Sequence, residues 1–104
     1  MATHRIRYTQ DAVDDLDAIF HYIAVDNADA ALNLLNKIDS SISALAESPY
    51  IGAALPAGEH MLIESGYRHI VVHPYLIFYR VIQDEVFIGR ILHSRQDWLQ
   101  LLFQ

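Results

Sequence analysis

Polar and apolar side chains alternate over His4-Arg5-Ile6-Arg7-Tyr8, a period of two that predicts a short strand. The period then lengthens. Val13, Leu16, Phe20 and Ile23 recur at helical spacing, Thr9 stands where an N-cap belongs, and Asp11, Asp14, Asp15 and Asp17 fill the first turns. Carboxylates there complement the positive end of a helix dipole, which gives the cluster a structural cause. Asp26-Asn27 interrupts the pattern. A second helix is predicted from about residue 28 to 46, with Ala31, Leu35, Ile38, Ile42 and Leu45 on one face. Two amphipathic helices joined by so short a turn form an antiparallel hairpin.

Ser48-Pro49-Tyr50-Ile51-Gly52 ends the helical region, because proline disfavours helix at the residue before it. Pro56-Ala57-Gly58 marks a further loop. Beyond it the period returns to two, with strands predicted over 60–64, 67–72, 75–82 and 86–92. Pro74 and the polar Gln83-Asp84-Glu85 supply turns, so the strands should pair antiparallel as hairpins. Ser94, with Asp97 three residues on, predicts a last helix to about Leu101. The order β-α-α-β-β-β-β-α describes an α+β domain. An N-terminal strand and a helical hairpin pack on an antiparallel sheet, with a short C-terminal helix. At 104 residues the chain makes one domain, 1–104.

Charge narrows the functional classes. The formal net charge is −6, and residues 1–50 hold three basic side chains against eight acids. Such a chain has no long-range attraction to nucleic acid, so any RNA contact would need a local arginine cluster. The absence of cysteine excludes disulfides and thiolate metal sites and fits a cytoplasmic location. No apolar run approaches the roughly 20 residues that cross a bilayer, so no membrane association is expected. His69 and His73 stand roughly 13 Å apart on strand geometry, too far to share an ion. No metal and no cofactor is expected.

The β-rich half carries its own anomaly. Each of its three longest strands bears an arginine, Arg68, Arg80 and Arg90, and Arg95 follows with His93 nearby. A strand does not need arginine to fold, and a guanidinium must reach solvent, a carboxylate or a partner. Tyr67, Tyr75 and Tyr79 lie among them, able to stack on bases or to pack one sheet face.

The acidic hairpin, Pro49 and Gly52, Gly66-Tyr67-Arg68, Tyr75-x-x-Phe78-Tyr79-Arg80 and Ile91-Leu92-His93-Ser94-Arg95 together resemble the ParE/RelE superfamily, over nearly the whole chain. These are toxins of bacterial type II toxin–antitoxin modules, often labelled plasmid stabilisation proteins. The resemblance implies one of two activities. RelE-like members cleave mRNA on the ribosome, where Arg68, Arg90 and His93 would be the catalytic positions. ParE-like members poison DNA gyrase and are not known as hydrolases. The lysines of the RelE-like scheme are missing: Lys37 is the sole lysine, and Glu59, His60 and Glu64 occupy the stretch before Tyr67. Carboxylates there would repel a scissile phosphate.

The ParE-like reading therefore leads, with DNA gyrase as target and Arg68, Arg80, Arg90, His93 and Arg95 as candidate target contacts. The resemblance also implies a cognate antitoxin, with Leu16, Phe20, Trp98 and Leu102 as candidate contacts. Operator DNA would be met only through that complex, and a homodimer is left open. The alternatives are the mRNA endonuclease and an inactive homologue that only binds its antitoxin.

Overall fold

The computed structural model describes residues 3–54 and 66–102. The elements are β1 (Arg5–Tyr8), α1 (Gln10–Ala24), α2 (Ala28–Ala44), β2 (Ala53–Ala54), β3 (Arg68–Val72), β4 (Tyr75–Ile82), β5 (Glu85–His93) and α3 (Trp98–Leu102). The strand expected over 60–64, the loop at Pro56 to Gly58, and Glu59, His60 and Glu64 lie outside the described residues.

The two helices start where capping chemistry starts them. Thr9 accepts the Ala12 amide through its hydroxyl at 3.2 Å, and Asn27 accepts the Ala30 amide at 3.0 Å. The core stripe of α1 is displaced from the one the sequence suggests, while that of α2 holds at four of its five positions. Ala12 is fully buried whereas Val13 is 45% exposed, so α1 turns Ala12, Leu16 and Ile19 to the core. On α2 the buried positions are Ala31, Ile38 and Ile42, followed by Leu45. Leu35 sits to one side of them.

The sheet runs β1-β5-β4-β3-β2. The hairpins β3–β4 and β4–β5 are antiparallel as expected. The N-terminal strand joins the same sheet, parallel to β5, with Ile6 opposite Val86 and Tyr8 opposite Ile88, which makes the sheet mixed. β1 and β5 are joined through both helices and the remaining strands, the kind of long crossover that parallel neighbours need. A bulge places Gly89 as an extra residue, since Phe78 faces Arg90 while Tyr79 faces Ile88. The last helix begins at Trp98, not Ser94. Residues 94–96 turn instead, held by the Ser94 amide on the Pro74 carbonyl and the Gln96 amide on the His93 carbonyl.

Both faces of the sheet are covered. On the hairpin side, Tyr75, Ile77 and Tyr79 of β4 and Val86, Ile88 and Ile91 of β5 meet Ala12, Ile38, Ile42 and Leu45. On the opposite side Phe78 and Leu92 form a smaller cluster with Tyr67, Leu76 and the apolar side chains of α3. Trp98 stacks on Phe78 with ring centroids 5.3 Å apart, so the aromatic end of the chain docks on the sheet.

Tyr79 anchors the crossing from α2 to β2. Its buried hydroxyl accepts the Gly52 amide at 2.9 Å. A Cβ at position 52 would lie 2.5 Å from that hydroxyl and 2.7 Å from the His69 carbonyl, so only glycine fits. Burial raises the phenol pKa above its ordinary 10.0, and the Gly52 amide and Arg68 partly counter that rise. Burial likewise raises Tyr8 and Tyr75, helped by Asp39 at Tyr8 and by Tyr22 at Tyr75.

Tyr79→Phe strands the Gly52 amide and should cost about 1–3 kcal/mol in urea unfolding. The three tyrosines also set an alkaline limit. The unfolded chain ionises them near 10.0 while the folded chain keeps them protonated. Their contribution is complete below that pH and is lost as pH rises through the folded values. Unfolding at pH 8 and pH 11 should show lower stability at pH 11, with a smaller drop in Tyr79→Phe.

Candidate functional site

The β-strand arginines divide between two faces and three kinds of partner. Arg68 faces Tyr79 across β3 and β4, which puts it on the hairpin side at the end of the sheet. Its guanidinium donates to the Gly52 carbonyl at 2.8 Å and the Tyr50 carbonyl at 3.3 Å, and lies 5.0 Å from the centre of the Tyr50 ring. Arg68 therefore holds the loop after α2 against β3. Arg80 faces Phe87 on the other side of the sheet, and its guanidinium covers the Tyr67 ring at 5.0 Å.

Arg90 is the most constrained of the set. It forks onto Asp15 of α1, Nε to Oδ2 at 2.8 Å and Nη2 to Oδ1 at 3.0 Å, and its Nη1 donates to the Leu101 carbonyl at 3.2 Å. The two side chains are 19% and 14% exposed. The hydrogen bonds Arg90 donates to Asp15, ahead of the charges of Asp15 and Asp11, push the guanidinium pKa above its ordinary value, while burial opposes. Asp15 Oδ2 also accepts the Ile91 amide at 2.9 Å. β1 ends opposite Ile88, so β5 has no strand neighbour beyond that point on this side. Thr9 and Asp15 replace it: the Thr9 hydroxyl donates to the Gly89 carbonyl at 2.8 Å, and Asp15 takes the Ile91 amide. The acidic cluster of α1 thus has a second cause besides the dipole. Sequence reasoning gave Asp15 a place in the acidic first turns and missed this role. It lies three residues after Ala12 and four before Ile19, beside the core-facing stripe of the structure and away from the Val13, Leu16, Phe20 and Ile23 stripe read from the sequence.

His93 faces Tyr75 edge-on, ring centroids 5.3 Å apart. Its Nδ1 accepts the Arg95 amide at 3.1 Å, and its own amide donates to Gln96 Oε1 at 2.7 Å. The imidazole shapes the turn into α3, and Arg95 is exposed on that turn. By register Arg80 and Arg90 share one face of the sheet and Arg68 lies on the other. Arg90 is committed to a carboxylate. Among the described residues no group of three histidine, cysteine or acidic side chains is placed to hold a metal ion, and no helix is long and apolar enough to cross a membrane.

The antitoxin-contact candidates separate as well. Trp98 and Leu102 belong to the cluster under α3. Leu16 and Phe20 line an open groove of about 540 Å³ with Tyr8, Val13, Leu32 and Leu35, and Asp17 at its side. Val13 and Leu32 are 45% and 49% exposed. Each helix therefore carries a second apolar stripe beside its core stripe, a feature hidden in the sequence because both share one helical period.

Removal of the Asp15 carboxylate leaves a partly buried guanidinium without its counter-charge and the Ile91 amide unpaired. Asp15→Ala should cost about 3 kcal/mol in chemical denaturation. Asp15→Leu combined with Arg90→Met should cost less than Asp15→Ala alone; equal or greater loss would show that the fork is not what fixes the helix.

Known proteins match this architecture. The family described as ParE toxin of the type II toxin–antitoxin system parDE matches residues 6–98. A Sinorhizobium fredii protein named "Putative toxin Y4kP" is 36% identical over 103 residues, covering 98% of this chain and 100% of that protein. A solved structure titled as the chromosomal ParDE TA system from P. aeruginosa superposes with a TM-score of 0.69 at 27% identity, covering 89% of this chain and 98% of the other. With the family match running from the first strand to the start of the last helix, the chain belongs to the ParE toxin family of type II toxin–antitoxin systems.

Proposed function

We propose that this ParE-family chain arrests growth by binding DNA gyrase in the cytoplasm, and that a cognate antitoxin neutralises it by covering the groove of the helical hairpin. The observation that carries the choice of target is the state of Arg90. Cleavage of RNA through its own 2′-hydroxyl needs cations free to meet a phosphorane and a group that moves a proton. Arg90 already spends its fork on Asp15. Arg68 is turned to backbone carbonyls, and the His93 Nδ1 accepts a backbone amide. The remaining lysine, Lys37, lies on α2. A protein-binding mode of action asks for none of these to be free.

On this reading Arg80 and Arg95 are the foremost contacts to gyrase among the five candidates, and Arg90 and His93 support the surface from beneath. Arg80 suits such a role, with its cation presented over the Tyr67 ring. Antitoxin contact falls to Leu16 and Phe20, with Trp98 and Leu102 contributing on the other side of the sheet.

Induction of the chain alone in a bacterial host should lower thymidine incorporation within minutes, before methionine incorporation falls. Arg80→Ala with Arg95→Ala should delay the loss without lowering the melting temperature. Methionine incorporation falling first would give the mRNA endonuclease instead. Unimpaired growth, with the protein folded and abundant, would give the inactive homologue.

A further inference from the structure

The groove of the hairpin has a sign as well as a shape. Its walls are the apolar side chains of Tyr8, Val13, Leu16, Phe20, Leu32 and Leu35, and the charged group among them is Asp17. It continues past Tyr8, Leu16 and Leu35 into a second depression of about 340 Å³ that ends at Asp39. Helical spacing sets Asp14 beside Asp17 on α1, and Asp29 three residues before Leu32 on α2, and all four acids are exposed. Of the nearby basic side chains, His21 stands 3.6 Å from Asp17 one turn along α1, while Lys37, Arg7 and Arg90 are turned elsewhere. Lys37 lines a different depression, against Val71 and Val72 of β3. Arg7 is paired with Glu85, and Arg90 with Asp15.

From this arrangement we infer that the groove takes an amphipathic helical segment whose apolar stripe is flanked by lysine or arginine and is free of acidic residues. The inference rests on the antitoxin reading above and adds the charge of the segment that docks. An apolar stripe at i, i+3, i+4 and i+7 fits a trough between two helices, and basic flanks meet Asp17 and Asp39 across its rim. The other occupants suffer from the same charge. A second copy would bring one acidic hairpin against another in a self-complementary contact, and nucleic acid or an anionic bilayer would be repelled outright.

The test uses the full chain and two designed 14-residue helical peptides that share a leucine stripe, one with lysine flanks and one with glutamate flanks. Fluorescence anisotropy at low salt should show the lysine peptide binding at least about tenfold more tightly, with the gap closing at high salt. Val13→Ser with Leu32→Ser removes apolar contact without changing charge. Asp17→Asn with Asp39→Asn removes charge without changing size. Each pair should weaken the lysine peptide about tenfold while circular dichroism shows an unchanged fold. Equal affinity for the two peptides would overturn the inference. So would lysine-peptide binding that Val13→Ser with Leu32→Ser leaves untouched, since that is attraction to an acidic protein and not to a groove. A dimer dissolved by the same two serines would assign the groove to a second copy. None of these failures touches the thymidine experiment, which stands or falls with the choice of target.

Discussion

The contact on which the rest of the molecule depends is the fork between Asp15 and Arg90. It joins the first helix to the last strand, and through the Leu101 carbonyl it reaches the C-terminal helix on the far side of the sheet. Charge-assisted, two-pronged hydrogen bonds fix orientation as well as distance. Asp15 also satisfies the backbone of β5 where the neighbouring strand has ended. The helical hairpin therefore has one seat on the sheet, and that seat decides which sides of α1 and α2 enter the core and which stay in solvent. The groove beside the hairpin is a by-product of this rotation: with Ala12 turned inward, Val13 must turn out.

Much of this was legible in the sequence, for identifiable reasons. The hairpin, β3 to β5 and their antiparallel pairing follow from local periodicity and from the turns at Pro74 and Gln83-Asp84, and these hold in the structure. What local pattern does not encode is pairing at a distance. The N-terminal strand alternates like any edge strand, and nothing within it says that its neighbour is residue 85 onward or that the pairing is parallel. The start of α3 moved from Ser94 to Trp98 because the residues between are recruited by His93 and Pro74, which are adjacent in space only once β4 and β5 have paired.

The arginines teach a narrower lesson. Three strands with one arginine each suggested a single surface, yet strand alternation and register decide the face, and register is a tertiary property. Arg68 and Arg80 part company across the sheet, and Arg90 belongs to α1 as much as to β5. Family membership and the placement of these side chains thus inform different questions. The first speaks to the fold and the toxin–antitoxin context. The second shows which cations are already engaged within the molecule.

The parallel pairing of β1 with β5 has a temporal meaning. A ribosome releases the first strand and the whole hairpin long before it releases residues 85–88, and Asp15 has no Arg90 to hold until later still. Non-local contacts of this span close slowly and late. During synthesis the hairpin can only be an unseated pair of helices with both apolar stripes wet. A product that stops before residue 90 therefore lacks the contact that seats the hairpin on the sheet.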